Sequence, residues 1–249
     1  MLKGQVRRAE ELLSLVSHPD FLRVLALRTI GNFLVIFSLY MLGWVFYKPA
    51  LEEAKYTYNH LVGKKYVVVD ESKDVTSFRL QNEKKAQGLL AQALQINDVE
   101  VLVPKDPQFS VIIPKLGANA NVITNVNTAD DKSYLDALKN GVAHAAGTKF
   151  PGENGHIYLF AHSTNTFTNV SRYNAVFYLL YKLEPGDEVN LYYKGIRYKY
   201  NVVGKEIIDP SRVDYLTRKT DKEFLTMQTC WPPGTIYQRL LVFAERAAN

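Results

Sequence analysis

The stretch that organises this chain is Phe224-Leu-Thr-Met-Gln-Thr-Cys230-Trp-Pro-Pro-Gly-Thr-Ile-Tyr-Gln-Arg239-Leu-Leu-Val-Phe-Ala244, which contains the only cysteine among 249 residues. Its β-branched and apolar residues predict a strand that ends near Cys230, where Pro232-Pro233-Gly234 interrupts it. A second strand is predicted over residues 237–244 and returns beside the first. Arg239 lies two or three residues into that second strand, so the thiol and the guanidinium can share one surface of a sheet.

The lone cysteine is a candidate nucleophile only if a suitable histidine exists elsewhere in the chain, because free cysteines are more often small buried apolar residues. His162 meets this requirement. It follows an apolar strand predicted over residues 157–161 and precedes the polar residues Ser163-Thr-Asn. Both reactive side chains are therefore expected where a strand gives way to a loop.

Several motifs occur in one order between residues 109 and 246, and together they resemble the sortases, the membrane-anchored cysteine transpeptidases of bacterial surfaces. The motifs are Ile112-Ile-Pro-Lys-Leu-Gly117, Ala137-Leu-Lys-Asn-Gly-Val-Ala-His144, Gly147-Thr-Lys-Phe-Pro-Gly152, Ala161-His162-Ser163, Leu183-Glu-Pro-Gly-Asp187, Thr226-Met-Gln-Thr-Cys230 and Arg239-Leu-Leu-Val242. Two positions depart from the family pattern, since Met227 replaces a leucine and Ala161 replaces a glycine.

This resemblance implies a mainly β fold, the eight-stranded sortase-type β-barrel with short helices. It also implies that Cys230 attacks the Thr–Gly carbonyl of a Leu-Pro-x-Thr-Gly-like sorting signal and that His162 protonates the leaving amine. Arg239 would then hydrogen-bond the substrate or the developing oxyanion. The expected partners are surface proteins with a C-terminal sorting signal and an amine acceptor, either on the cell envelope or on a pilin lysine. Substrate contacts are expected from Thr229, Ser163 and His144.

The composition of the chain restricts the classes of protein to which it can belong. With 47% hydrophobic and 22% charged residues, the chain is expected to form a globular domain with one sizeable core. The formal net charge is +5, but 25 acidic residues are interspersed with the basic ones, and no dense basic stripe favours nucleic acid as a partner. One cysteine excludes an intramolecular disulfide.

Residues 29–47 are predicted to span a membrane. These 19 residues carry no charge, and as a helix they reach roughly 28 Å, enough for a hydrocarbon core of about 30 Å. A cleaved signal peptide is less favoured, because the apolar run is long and follows a 28-residue leader. Two basic residues lie within about 20 positions before the span and four after it, so charge does not decide orientation. The resemblance implies a signal anchor with the catalytic domain outside the cell.

The expected organisation is therefore an N-terminal cytoplasmic segment over 1–28, a transmembrane anchor over 29–47, a partly helical stalk over 48–108 and a catalytic domain over 109–249. Within the stalk, residues 66–69 suggest a strand, and the apolar spacing over 86–94 predicts a helix. In the domain, strands are expected over 111–113 and 122–126, a helix over 133–140 capped by Ser133, a helix over 172–182, and a hairpin of residues 189–193 and 196–203.

No cofactor is expected. His18 and His60 lie outside the domain, so the histidines do not form a metal-ligand cluster. His156 precedes the candidate histidine by a strand length and is expected in a surface turn, while a structural role is favoured for His144 over one at the edge of the site. The acidic residues Glu184, Asp187 and Glu188 are expected to form a solvated turn.

Two other functions stay open. The same Cys-His-Arg site could belong to a membrane-anchored cysteine peptidase, because transpeptidation and hydrolysis differ only in whether an amine or water resolves the thioester. Alternatively, the barrel could be an inert, membrane-anchored binding protein with an unreactive thiol.

Overall fold

The computed structural model describes residues 19–68, 99–163, 176–233 and 235–248. The helix predicted over residues 86–94 lies outside these described residues. The chain divides into two compact units, Met1–Leu51 and Glu52–Asn249.

The first unit contains most of a long helix, α1, which runs over Pro19–Leu61. Its segment Asp20–Trp44 has a mean hydropathy of 1.7 and is long and apolar enough to cross a membrane. Large apolar side chains such as Leu27 and Ile36 are about two-thirds exposed along this segment. The helix therefore contains a candidate signal anchor that overlaps the span predicted from the sequence and begins earlier.

The second unit is built mainly from strands. They are β1 (Lys65–Val68), β2 (Val99–Leu102), β3 (Phe109–Ile113), β4 (Ala118–Val126), β5 (Val142–Ala145), β6 (His156–Phe160), β7 (Glu188–Tyr193), β8 (Ile196–Ile208), β9 (Phe224–Trp231) and β10 (Gln238–Arg246). A second α-helix, α2, covers Asp131–Asn140.

Eight of these strands close into a barrel in the order β10-β8-β7-β3-β4-β5-β6-β9, which confirms the predicted fold class. The pairs β4–β5 and β6–β9 are parallel, and the others are antiparallel. Apolar side chains at alternate positions fill the interior, among them Val111, Leu159, Leu191, Met227 and Val242. The remaining strands, β1 and β2, form a separate parallel sheet.

A second apolar cluster lies on the outer surface of the barrel, where α2 and the 3-10 turn Asp214–Thr217 cover it. Helix α2 begins two residues earlier than predicted, because Asp130 and not Ser133 is its N-cap: the Asp130 carboxylate accepts a hydrogen bond from the Lys132 amide at 3.2 Å. The helix ends at Asn140 as predicted, and Gly141 is its C-cap. A Cβ at Gly141 would collide with the Asn121 carbonyl oxygen, so the close packing of α2 on β4 requires glycine there.

The hairpin predicted from residue 189 onward is confirmed as β7 and β8, although β8 continues to Ile208. The helix predicted over 172–182 is wrong in its described part, where turns lead into a 3-10 helix at Leu180–Lys182. Phe177, Leu180 and Leu183 are fully buried in the barrel core. Their spacing of three residues matches the three-residue turn of a 3-10 helix, which places all of them on one side.

Candidate active site

Cys230 and Arg239 lie side by side on the outer surface of the barrel. They are antiparallel register partners on β9 and β10. Met227 on β9 and Leu240 on β10 point into the barrel core, whereas Leu241 belongs to the outer cluster. Because side chains alternate along a strand, Cys230 and Arg239 both face outward. The sequence-based expectation that the thiol and the guanidinium share one sheet surface is confirmed.

His162 joins the same row from the other side of β9. Strand β6 pairs with β9 in parallel, with Phe160 opposite Gln228, and continuing this register by two residues brings His162 level with Cys230. The backbones stay together there, since the Ala161 amide donates to the Gln228 carbonyl at 3.1 Å. Ala161 belongs to the barrel core, so His162, the next residue, faces outward.

The electrostatics of the row favour uncharged forms of both reactive groups. Burial raises the pKa of the Cys230 thiol, and the nearby Arg239 guanidinium opposes that rise. Burial lowers the pKa of His162. At neutral pH the free protein therefore holds mainly a thiol and a neutral imidazole, and the thiolate–imidazolium pair is a minor form of the same total charge.

The guanidinium of Arg239 is held by its own loop. Its Nη1 donates to the carbonyl oxygens of Ile236 and Gln238, both at 3.1 Å. Within the described residues these hydrogen bonds use only one of its three nitrogens. Nε and Nη2 can therefore donate to a bound molecule while Nη1 keeps the group in place.

The structure does not bring all the predicted substrate-contacting residues to this row. Thr229 and Ser163 flank Cys230 and His162, but each is only 2% exposed. The Thr229 hydroxyl donates to the Ala161 carbonyl at 3.0 Å, which ties β9 to the end of β6 beside His162. Their buried positions suit side chains that hold the backbone of the site in place.

His144 lies in the interior of the barrel, away from the Cys230 row. Its Nε2 is 2.9 Å from the Lys149 carbonyl oxygen, its Nδ1 accepts from the Asn125 amide at 3.4 Å, and its ring stacks on Phe150 at 4.5 Å. These contacts are those of a structural histidine. A direct contact between His144 and substrate stays a prediction.

The expectation for His156 is wrong, because this residue is the first of β6 and is 4% exposed rather than part of a surface turn. Its Nε2 lies 2.8 Å from the Thr226 hydroxyl. Burial, with a further contribution from Arg218, lowers the pKa of His156 to about 4. His156 begins β6, and the candidate His162 lies two residues beyond its other end.

Three polar side chains beside the row were not predicted from the sequence. Tyr158 donates to Oε1 of Gln228, which precedes Cys230 by two residues on the outer face. Tyr134 of α2 stacks on Phe160 at 5.3 Å, and burial raises its pKa, with a further contribution from the negative charge of Cys230 when that residue is a thiolate. Strand alternation could have identified Tyr158 and Gln228. Each is an even number of residues from His162 or Cys230 along its own segment, so it faces the same side of the sheet.

The acidic turn is partly solvated, as expected, and its carboxylates are also paired with basic side chains. Lys205 contacts Glu184 at 2.7 Å, Lys115 contacts Asp187 at 2.7 Å, and Arg197 contacts Glu188 at 3.1 Å. Among the described residues, no group of three or more His, Cys, Asp or Glu side chains is arranged to hold a metal ion. The absence of a required cofactor stays a prediction.

Comparison with known proteins identifies the family. The family model described as Sortase domain matches residues 111–247, more than half of the chain. The chain belongs to the sortase family. Sortases are cysteine transpeptidases, and this sortase carries its single cysteine in the outward-facing row on β9.

The individual relatives described below are each less than 30% identical to this chain. Sortase D of Bacillus subtilis (strain 168) is 27% identical over 168 residues, which cover 66% of this sortase and 76% of the relative. Among solved structures, the pilus-related Sortase C of Group B Streptococcus is 23% identical with a TM-score of 0.48, covering 59% of this chain and 70% of that one. A Clostridium perfringens Sortase D5 transpeptidase is 22% identical with a TM-score of 0.46, covering 68% and 95%.

Proposed function

We propose that this sortase cleaves a Leu-Pro-x-Thr-Gly-like sorting signal between Thr and Gly and transfers the new acyl end to an amine at the cell surface. Cys230 is the nucleophile, His162 the general acid and base, and Arg239 the donor to the substrate or oxyanion. The observation that carries the proposal is the row of these three side chains, level with one another and facing outward at the end of β6, on β9 and on β10.

The chemistry follows from this row. The Cys230 thiolate attacks the threonine carbonyl carbon, and Nε and Nη2 of Arg239 stabilise the negative charge that develops on the carbonyl oxygen. As the C–N bond breaks, His162 gives its proton to the leaving glycine nitrogen and a thioester remains. An acceptor amine then attacks the thioester, His162 takes a proton from that nitrogen, and the thiolate leaves as the new amide forms.

Thr229 and Ser163 are proposed to act by holding the backbone on either side of the row. The acceptor is proposed to be an amine of the cell envelope or a pilin lysine, and the substrates to be surface proteins with a C-terminal sorting signal. The segment 29–47 is proposed as a signal anchor within a single-pass helix that keeps residues 109–249 outside the cell. Residues 1–28 would then be cytoplasmic and residues 48–108 a stalk.

The test is incubation of the full chain with sorting-signal peptides, with and without an added amine, followed by mass spectrometry. A thioester adduct on Cys230 and an amide product that requires the amine are expected, and Cys230→Ala should give neither. Turnover by Cys230→Ala at a normal rate would overturn the proposal. Release of acid product alone, even at high amine concentration, would make the enzyme a peptidase.

A further inference from the structure

A cleft of about 320 Å³ opens within the second unit, and Cys230, His162 and Arg239 are not among its lining residues. One wall is a stripe of α1, including Lys55, Tyr56 and Asn59, and another is the turn between β3 and β4. In the barrel, β5 and β6 lie between β4, which begins at the cleft, and β9, which carries Cys230.

The cleft is rich in cations. Four lysines, Lys55, Lys64, Lys105 and Lys115, line it, and Glu52 is the one carboxylate among its lining residues. Lys64 is paired with Glu100 at 2.6 Å and Lys115 with Asp187 at 2.7 Å. Because Lys64 and Lys115 are already paired, Lys55 and Lys105 are the lysines that can bind an anionic ligand.

Neither Lys55 nor Lys105 has a carboxylate within ion-pair distance in the part of the chain that the structure describes. The backbone at Lys105 is held in place, because Asn119 accepts from the Lys105 amide at 3.3 Å and donates to the Val103 carbonyl at 2.6 Å. The cleft therefore presents two unpaired ammonium groups on walls that are held in place.

Aromatic side chains give the cleft its shape. Tyr66 is held by a hydrogen bond from Asn59 Nδ2 to its hydroxyl at 3.0 Å, and its ring lies against Gly117. Gly117 has a φ of 61°, and a Cβ there would lie 2.9 Å from the Tyr66 ring. Glycine is thus required both for the backbone of the turn and for the approach of the ring.

From this cleft we propose a second ligand site that binds a phosphate-bearing molecule, separate from the proposed transpeptidase reaction. Ammonium groups bind phosphate oxygens through charge-assisted hydrogen bonds, and a cavity of this size holds a phosphorylated headgroup. The phosphate could belong to an anionic lipid or to a soluble phosphate ester. The lipid is a source to test because Trp44, the end of the candidate span, precedes Glu52 by eight residues.

The experiment uses the full chain in a neutral non-ionic detergent at fixed ionic strength. Short-chain phosphatidylglycerol, short-chain phosphatidylcholine and glycerol phosphate are each titrated, and the rise in unfolding temperature gives an apparent Kd. Phosphatidylglycerol is expected to bind and zwitterionic phosphatidylcholine is not. Equal binding of glycerol phosphate would identify a soluble phosphate ester as sufficient, and binding of phosphatidylglycerol alone would identify the lipid.

The matched variants are Lys55→Gln/Lys105→Gln and Lys219→Gln/Lys222→Gln, which lower the net charge equally. The second pair is exposed and outside the cleft. The cleft variant should bind at least ten-fold more weakly, the control should bind like wild type, and both should cleave a sorting peptide normally. Lys55→Glu, a change at an exposed helix position, should weaken binding as well. Equal weakening by both pairs, or failure of wild type to bind either phosphate ligand, would overturn the proposal.

Discussion

Arg239 on β10 is the antiparallel register partner of Cys230 on β9. Side chains of such partners on one face have Cβ atoms about 5 Å apart, so the guanidinium is close enough to oppose the rise in the pKa of Cys230. Burial still raises the pKa of Cys230 despite this charge. Arg239 therefore contributes less to forming the thiolate in the free enzyme than to stabilising the charge that appears on the substrate during attack.

Replacement of Arg239 by lysine tests this division of roles. Arg239→Lys keeps a positive charge but loses the planar group whose Nη1 is held by the loop while Nε and Nη2 donate to substrate. We expect kcat/KM for a sorting peptide to fall by about 10- to 1000-fold, the scale of losing one oxyanion donor, with little change in unfolding temperature. The control is Arg212→Lys, which changes an exposed arginine paired with Asp214. It should leave kcat/KM unchanged. If Arg239→Lys keeps most of its activity, the oxyanion donors must instead be backbone amides.

The pH dependence of the reaction should report the two shifted groups. The acid limb of kcat/KM should follow the pKa of His162, which burial moves below its usual range, and the alkaline limb the pKa of Cys230, which burial moves above its usual range. The result is a broad plateau, because the reactive thiolate–imidazolium pair has the same number of protons as the dominant neutral pair.

Alkylation of the thiol separates the two limbs. The rate of reaction with iodoacetamide follows the thiolate alone, so it should rise at a pH above the usual range for cysteine and coincide with the alkaline limb. Arg239→Gln should shift this rise to still higher pH, since it removes the cation that lowers the pKa of Cys230. If the alkylation rate has already reached its maximum at neutral pH, the thiol is not held mainly in its protonated form.

The second unit suggests where a soluble catalytic fragment can begin. In α1, Glu53 accepts a hydrogen bond from the Tyr181 hydroxyl and pairs with Lys182 at 3.2 Å. Strand β1 pairs with β2, and Val68 packs with Ile112. A chain that begins at Glu52 should therefore be soluble, unfold cooperatively and cleave peptide like the full chain.

A chain that begins at Val101 serves as its comparison. It lacks β1 and the start of β2, and should lose about 2 to 4 kcal/mol of unfolding free energy, because Val68 and Tyr66 no longer cover the barrel. Urea unfolding of the two forms measures the difference. Equal stability would show that residues 52–100 contribute nothing to the domain.

Contacts between neighbouring segments could be predicted from the sequence, whereas pairing between distant segments could not. Strand alternation and the Pro-Pro-Gly break were sufficient to predict that Cys230 and Arg239 share a face, because the strands are consecutive. The parallel pairing of β6 with β9, which brings His162 beside them, joins segments more than 60 residues apart, and only the resemblance to a family indicated it. At the start of α2 the sequence analysis chose Ser133 as the cap, whereas Asp130 caps the helix by accepting from the Lys132 amide.

The buried His156 should make this protein sensitive to acid. Its pKa is lowered to about 4, and its Nδ1 has no hydrogen-bond partner among the described residues, so a proton added there would find no acceptor. As pH falls below about 6.5, the unfolded chain takes up this proton and the folded chain does not. The stability present above pH 6.5 is therefore lost progressively down to about pH 4, by up to about 3 kcal/mol for this residue. His156→Gln, which cannot titrate, should show a smaller loss of unfolding free energy between pH 7 and pH 4.5 in urea unfolding. If His156→Gln loses as much unfolding free energy as wild type, the acid sensitivity comes from other groups.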